Sequence, residues 1–268
     1  MSTTFPRDLQ YAKFSAYGFL KNLRFFEPFM ILFLLGEGLS YLQVGSLYAV
    51  REILVNLMEI PSGAVADGLG RRRTMVASFL GYLISFALFW FGSGMPLFLI
   101  AILFFSVGEA FRTGTHKSMI FAYLRINNLQ EHGNDYYGHT RSWSQIGSAI
   151  SAIIAAAIVF VTRNYRAVFL FSMIPYILDL LLMLTYPREL DGQTGRISVQ
   201  SVKENFRNVG RGLLETARRP GAARAVLSAS SFGGFYKGGK DYLQPMISAL
   251  ALSVPVAQTL SAQRREAL

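Results

Sequence analysis

From Thr74 to Gly108 the chain carries no charged residue. A helix crosses the roughly 30 Å apolar core of a bilayer in about 20 residues. The run is therefore long enough for two crossings, and "GSGMP" at 92–96 supplies the turn between them. Ser142–Thr162 is a further uncharged run of 21 residues, and Ala167–Pro187 matches it in length with one acid, Asp179. Segments 14–36 and 44–67 have helical length but carry charges. Six spans result, and a seventh begins near Ala225. With 52% hydrophobic and only 16% charged residues, the chain has too little charge to cover a soluble surface. The pattern predicts an all-α, polytopic membrane protein: a six-helix bundle over 1–187, a linker over 188–221, and the incomplete start of a second bundle over 222–268.

Basic residues orient the spans. The connections "GEGLSYLQ", "GSGMP" and "TRNYR" hold only Arg163 and Arg166, whereas the N-terminus, the 69–74 turn, the 124–141 loop and the 187–219 linker together hold 14 Lys and Arg. Positive residues stay on the cytoplasmic side, which puts the N-terminus and the linker there, in a cell membrane. The net charge of +10 is then a topology signal. A nucleic-acid surface is excluded because the arginines are scattered over short loops. Lipid headgroups are the partner those charges suit. The linker's 197–217 stretch reads as an amphipathic helix on the inner membrane surface. No cysteine is present, so there is no disulfide and no thiolate chemistry.

Charges inside spans mark a polar pathway, because an unpaired charge at membrane depth costs several kcal/mol. Helix 1 carries Lys21, Arg24 and Glu27 at intervals of three, and helix 2 carries Arg51, Glu52 and Glu59. Helix 4 places Glu109, Arg112 and His116 at i, i+3 and i+7 with Lys117 beside them, and helix 7 has Lys237, Lys240 and Asp241. Helices 1, 4 and 7 are expected around the pathway, with 3 and 6 packed outside as support. Arg24, Glu27, Glu109, Arg112, His116, Lys237 and Asp241 are the candidates for holding a solute or a coupling ion.

The stretch "EIPSGAVADGLGRRR" (59–73) closes helix 2. It resembles the signature loop of the major facilitator superfamily, G-x-x-x-D-x-x-G-R-[RK], with Gly63, Asp67, Gly70, Arg71 and Arg72 at the pattern positions. The resemblance implies that Asp67 joins a charge relay that latches one face closed, and that Arg71 and Arg72 anchor the turn. The residue after the acid is usually basic in the family, but Gly68 stands here. "GEAFRTGTHKSMIFAYL" (108–124) falls where the family carries a helix-4 arginine, a position Arg112 fits. Helix 5 lacks the Gly-Pro core of the drug-antiporter motif. The resemblance implies a secondary active transporter that moves a small solute by alternating access, with a proton or other ion as a coupling partner and no cofactor. The rival is a transporter-fold receptor or scaffold without flux.

The family has twelve helices, so a chain stopping at "SAQRREAL" is expected to lack a C-terminal half and to be inactive alone. "GGFYKGGKD" (233–241) fits a phosphate loop except for Asp241, but no strand precedes it and it falls in a span. His132, Asp135 and His139 have metal-ligand side chains on a solvated loop that fixes none of them. No catalytic constellation is present, and an enzyme is not expected.

Because the chain lacks native cysteine, single cysteines report topology directly. Positions near 39, 94 and 164 are expected to label from outside intact cells, and positions near 72, 132 and 200 are not. Outside labelling at 72 would reverse the orientation.

Overall fold

The computed structural model describes residues 5–192 and 199–253. Among them there is no strand; ten α-helices account for the fold. They are α1 (Leu9–Leu20), α2 (Met30–Gly36), α3 (Tyr41–Leu69), α4 (Arg71–Phe91), α5 (Met95–Arg112), α6 (Thr115–Ile126), α7 (Gly133–Thr162), α8 (Ala167–Leu184), α9 (Val199–Ala217) and α10 (Pro220–Ser253). Four spans are long and apolar enough to cross a bilayer unaided: α4, α5 with α6, α7, and α8. The chain is a multi-pass, all-α membrane protein.

α8 shows how the sequence produces these elements. Val168, Phe169, Ser172, Tyr176, Asp179 and Met183 recur at helical spacing and are buried. Phe171, Ile174, Leu178 and Leu181 lie on the opposite face and are exposed. An apolar exposed face suits a helix whose solvent is lipid. The interior is aromatic. Phe33 and Phe89 both sit 4.8 Å from the Phe169 ring, and Phe86 and Tyr82 lie 4.9 and 5.0 Å from Tyr176. Offset and edge-on pairs of this kind add to the area they bury.

Helices approach closely where side chains are small. A Cβ at Gly108 would lie 2.9 Å from the Ser78 carbonyl oxygen, and the Ser78 hydroxyl donates to the Gly108 carbonyl at 2.6 Å. Gly147 seats α7 on α1, since a Cβ there would stand 2.4 Å from the Phe19 carbonyl oxygen. Without a hydrophobic drive between helices in lipid, such backbone approach is a main source of association.

The connections gather at two ends, in the grouping that the basic residues indicate. At one end Arg166 pairs with Glu37 and donates to the Trp90 carbonyl at 3.0 Å, which ties the α2–α3, α4–α5 and α7–α8 connections together. At the other end the Lys13 amine donates to the Thr185 carbonyl at 2.8 Å, and the Tyr123 hydroxyl donates to the Asp8 carboxylate.

Three expectations need correction. The 14–36 span is not one helix: α1 stops at Leu20 and α2 starts at Met30. Pro28 disfavours helix at the residue before it, and the Asn22 side chain donates back to the Gly18 carbonyl at 2.7 Å, closing α1. The helix-4 span breaks at Thr113 and Gly114, with Gly114 at φ +78°. The 124–141 segment is mostly helical, because α7 begins at Gly133.

Gly147→Val tests the α1–α7 contact. The new side chain meets backbone, which cannot swing aside, so overpacking should cost about 1–3 kcal/mol. A lowered unfolding temperature in detergent is expected, and an unchanged one would show that the two helices are not held at this distance.

Candidate functional site

The two broken spans bring the charges together. Between α1 and α2 the chain runs as turns from Lys21 to Phe29, so Lys21, Arg24 and Glu27 do not share the face of one helix. α5 ends at Arg112, after which Thr113 is extended and Gly114 takes the left-handed backbone that favours glycine. Glu109 and Arg112 keep their i, i+3 relation, but His116 belongs to α6.

Glu109 is the centre. One carboxylate oxygen accepts from the Arg112 guanidinium. The other accepts from the Tyr82 hydroxyl, and from Arg24 Nη2 at 3.4 Å. Arg112 Nε donates to the Tyr82 oxygen at 3.1 Å, which closes a ring across α4 and α5. Arg24 also approaches Glu27 at 3.8 Å, and Glu27 stands 4.0 Å from Lys240 of α10. The side chains of Lys237 and Asp241 lie outside the described residues. One carboxylate thus serves two guanidiniums, and α4 supplies a member of the cluster rather than support alone.

A cavity of about 440 Å³ touches this ring at Arg24, beside Glu27 and Lys240, and two others meet its Glu109–Arg112 pair. The first of these two, about 200 Å³, lies among α1, α6 and α7, with Tyr17, Lys21, Arg112, His116, Lys117 and Arg141 in its wall. The second, about 330 Å³, is lined by Arg24, Arg51 and Lys240 on one sign and by Glu27, Glu52, Glu59 and Glu109 on the other. Arg112 faces the first cavity and its partner Glu109 the second. His116 stacks on the Tyr17 ring at 3.6 Å between centroids, with Nε2 3.2 Å from the Tyr186 hydroxyl.

The signature turn sits apart from the cavities. Gly70, at φ +94°, makes the reversal between α3 and α4. Asp191 accepts from the Arg72 backbone N–H at 2.6 Å and so caps α4, while the Arg72 guanidinium donates to the Tyr186 carbonyl at 3.2 Å. Arg71 reaches the Ser118 carbonyl at 3.4 Å. Both arginines therefore tie the turn to the rest of the bundle end. Asp67 is exposed and has no hydrogen bond or ion pair among the described residues. Gly63 permits no close approach here, since a Cβ on it would meet nothing within 4 Å.

Sequence reasoning missed two groups. Tyr82 lies inside an apolar run, and its only signal was the polar Ser78 and Ser85 one turn to either side. Asp179, seen only as an isolated acid, is fully buried, and its carboxylate has no hydrogen-bond partner among the described residues.

A model of the Major Facilitator Superfamily matches residues 15–262. Over 93 residues the chain is 28% identical to the "Uncharacterized MFS-type transporter YxaM" of Bacillus subtilis (strain 168), covering 35% of this chain and 23% of that protein. Among solved structures, a POT family transporter in complex with a thioalcohol-conjugated peptide aligns with a TM-score of 0.56 at 16% identity, over 92% of this chain and 50% of the other. The peptide transporter POT in complex with sulfate gives 0.56 at 14% identity, over 97% and 55%. At those identities the likeness is one of fold. The chain spans about half the length of these two structures.

Glu109→Gln leaves two guanidiniums facing each other without their shared anion. A loss of about 3–5 kcal/mol in unfolding free energy is expected, as for breaking any buried pair. Glu109→Gln with Arg112→Gln should cost clearly less than the two single losses added. Additive losses would show that the ring carries no coupling.

Proposed function

Since the chain belongs to the major facilitator superfamily, we propose that it forms the first bundle, the linker and the opening helix of a secondary active transporter for a small polar solute. On this reading, 1–187 is one wall of the pathway, 188–221 a cytoplasmic hinge, and 222–268 the start of the facing bundle. The N-terminus is cytoplasmic and the membrane is the cell membrane. The observation that carries the reading is the ring of Arg24, Glu109, Arg112 and Tyr82, set between two cavities inside the bundle. Charges are retained at that depth where they meet a solute or an ion. Broken spans at the same place fit a transporter site, because unwound backbone and helix ends supply polar groups to it.

Alternating access rocks one bundle against the other about this site. Glu27 and Glu109 are the acids placed to exchange a coupling proton, one near Lys240 of α10 and the other in the ring. Asp67, exposed at the signature turn, has the position a latch to a facing bundle needs. The turn itself is pinned by Arg71 and Arg72, so a contact made there moves with the whole bundle end. The neighbours' ligands, a peptide and sulfate, make small charged solutes the first to screen.

On this reading flux needs the facing bundle as well, so the test is uptake into vesicles that hold this chain together with a complete facing bundle. Arg112→Ala and Glu109→Gln are expected to lower it at least about tenfold, the effect of losing roughly 1.4 kcal/mol or more in the cycle. Normal uptake in both, with normal insertion, would make the ring purely structural.

Asp67→Asn should lower the maximal rate more than the affinity, since a latch alters the balance of states rather than the site. An affinity loss at unchanged maximal rate would contradict the latch.

A further inference from the structure

The two cavities that meet the Glu109–Arg112 pair differ in charge. The second mixes both signs, whereas the first has Lys21, Arg112, Lys117 and Arg141 in its wall and no carboxylate. Of these four, only Arg112 has an acid within ion-pair distance among the described residues. The Lys117 ammonium lies over aromatic faces instead, 5.4 Å from the Tyr137 centroid and 5.8 Å from that of Phe121. The Lys21 amine lies 5.9 Å from the Tyr17 centroid.

Two further groups face the same space. α6 begins at Thr115, directly after Gly114 in the cavity wall, and no side chain caps it. Its first backbone N–H groups therefore lack intrahelical acceptors, and the helix dipole favours an anion there. The Tyr17 side chain is 98% buried, lines the cavity, and its hydroxyl has no hydrogen-bond partner among the described residues. A buried hydroxyl without a partner costs free energy until something supplies one.

We propose that the first cavity binds an oxyanion group, a carboxylate or a phosphate, of the transported solute. This rests on the transport reading above and adds the charge of the solute to it. The anion sits against the start of α6, takes the Tyr17 hydroxyl as a donor, and is neutralised by Lys21, Arg112 and Lys117. A helix broken within the membrane, with its N-terminus aimed at an anionic group, is an arrangement that transporter folds use.

Inorganic phosphate is the probe. The purified chain in detergent is titrated with it at constant ionic strength against chloride, and the unfolding temperature is followed. A saturable rise is expected. Its half-saturation concentration should move up about tenfold in Lys21→Gln and in Lys117→Gln, the worth of one charge-assisted hydrogen bond, and stay put in Arg163→Gln at the other end of the bundle. Lys117 is exposed, so its variant reports even if Lys21→Gln fails to fold. The second arm compares nanodiscs of phosphatidylcholine and phosphatidylglycerol. Stabilisation by phosphatidylglycerol that Lys117→Gln removes, with no response to phosphate, would overturn the proposal and assign the cavity to a lipid headgroup. No response to either, or one equal in all variants, would overturn it outright. Uptake of an uncharged solute by a protein indifferent to phosphate would leave transport standing and remove only the anion.

Discussion

The charged ring inside this bundle is built on one shared carboxylate. Glu109 accepts from Arg112, Arg24 and the Tyr82 hydroxyl, and those groups come from α4, α5 and the break between α1 and α2. Taking charges from water into a low-dielectric interior costs several kcal/mol per ion, and mutual attraction offsets that only with good geometry and further hydrogen bonds. Tyr82 provides such a bond to Glu109 and accepts another from Arg112. The backbone follows from the same need. An unbroken first span would carry Arg24 round a helix rather than out on a turn toward Glu109.

Such a ring is a poor device for stability alone, since buried ion pairs replaced by apolar groups of similar volume are often no less stable. The apolar contacts already supply the packing: aromatic rings from α2, α4 and α8 interlock beside the ring, and Gly108 and Gly147 let backbones touch. What the ring adds is an arrangement with alternatives. Two guanidiniums share one anion, so an anion brought to either can take it from Glu109 while the other stays paired.

Much of the fold was legible because membrane burial writes itself in long uncharged runs and in basic loops. The same count of Lys and Arg that separated the connections predicts which ends meet, and Arg166 joined to Glu37 and to the Trp90 carbonyl fits it. The breaks were less legible. Pro28 is a visible stop for the first span, but Gly114 is one glycine among many, and its left-handed backbone shows only in three dimensions. A strict i, i+3, i+7 reading therefore put His116 on a face it does not share with Glu109. Tyr82 was hidden for another reason: in an apolar run a tyrosine reads as core until its hydroxyl finds a charge. Asp191 was hidden by distance, because a cap that comes from beyond α8 leaves no local pattern near α4.

The division of labour between the cavities decides how occupancy can become movement. Arg112 belongs to the wall of the first cavity and Glu109 to the wall of the second, yet they are one ion pair. On the proposed reading, an oxyanion in the first cavity competes with Glu109 for Arg112. Glu109 is then left with Arg24 and Tyr82, and its negative charge is felt more strongly in the second cavity, where Lys240 of α10 stands opposite Glu27. On that reading the first cavity is coupled to α10 through the chain of ion pairs Arg112–Glu109–Arg24–Glu27–Lys240. A ligand shifts a conformational equilibrium only by binding its states unequally. Here the inequality has a definite source, because Arg112 can be fully paired with the ligand or with Glu109, and the state of the ring sets which is cheaper.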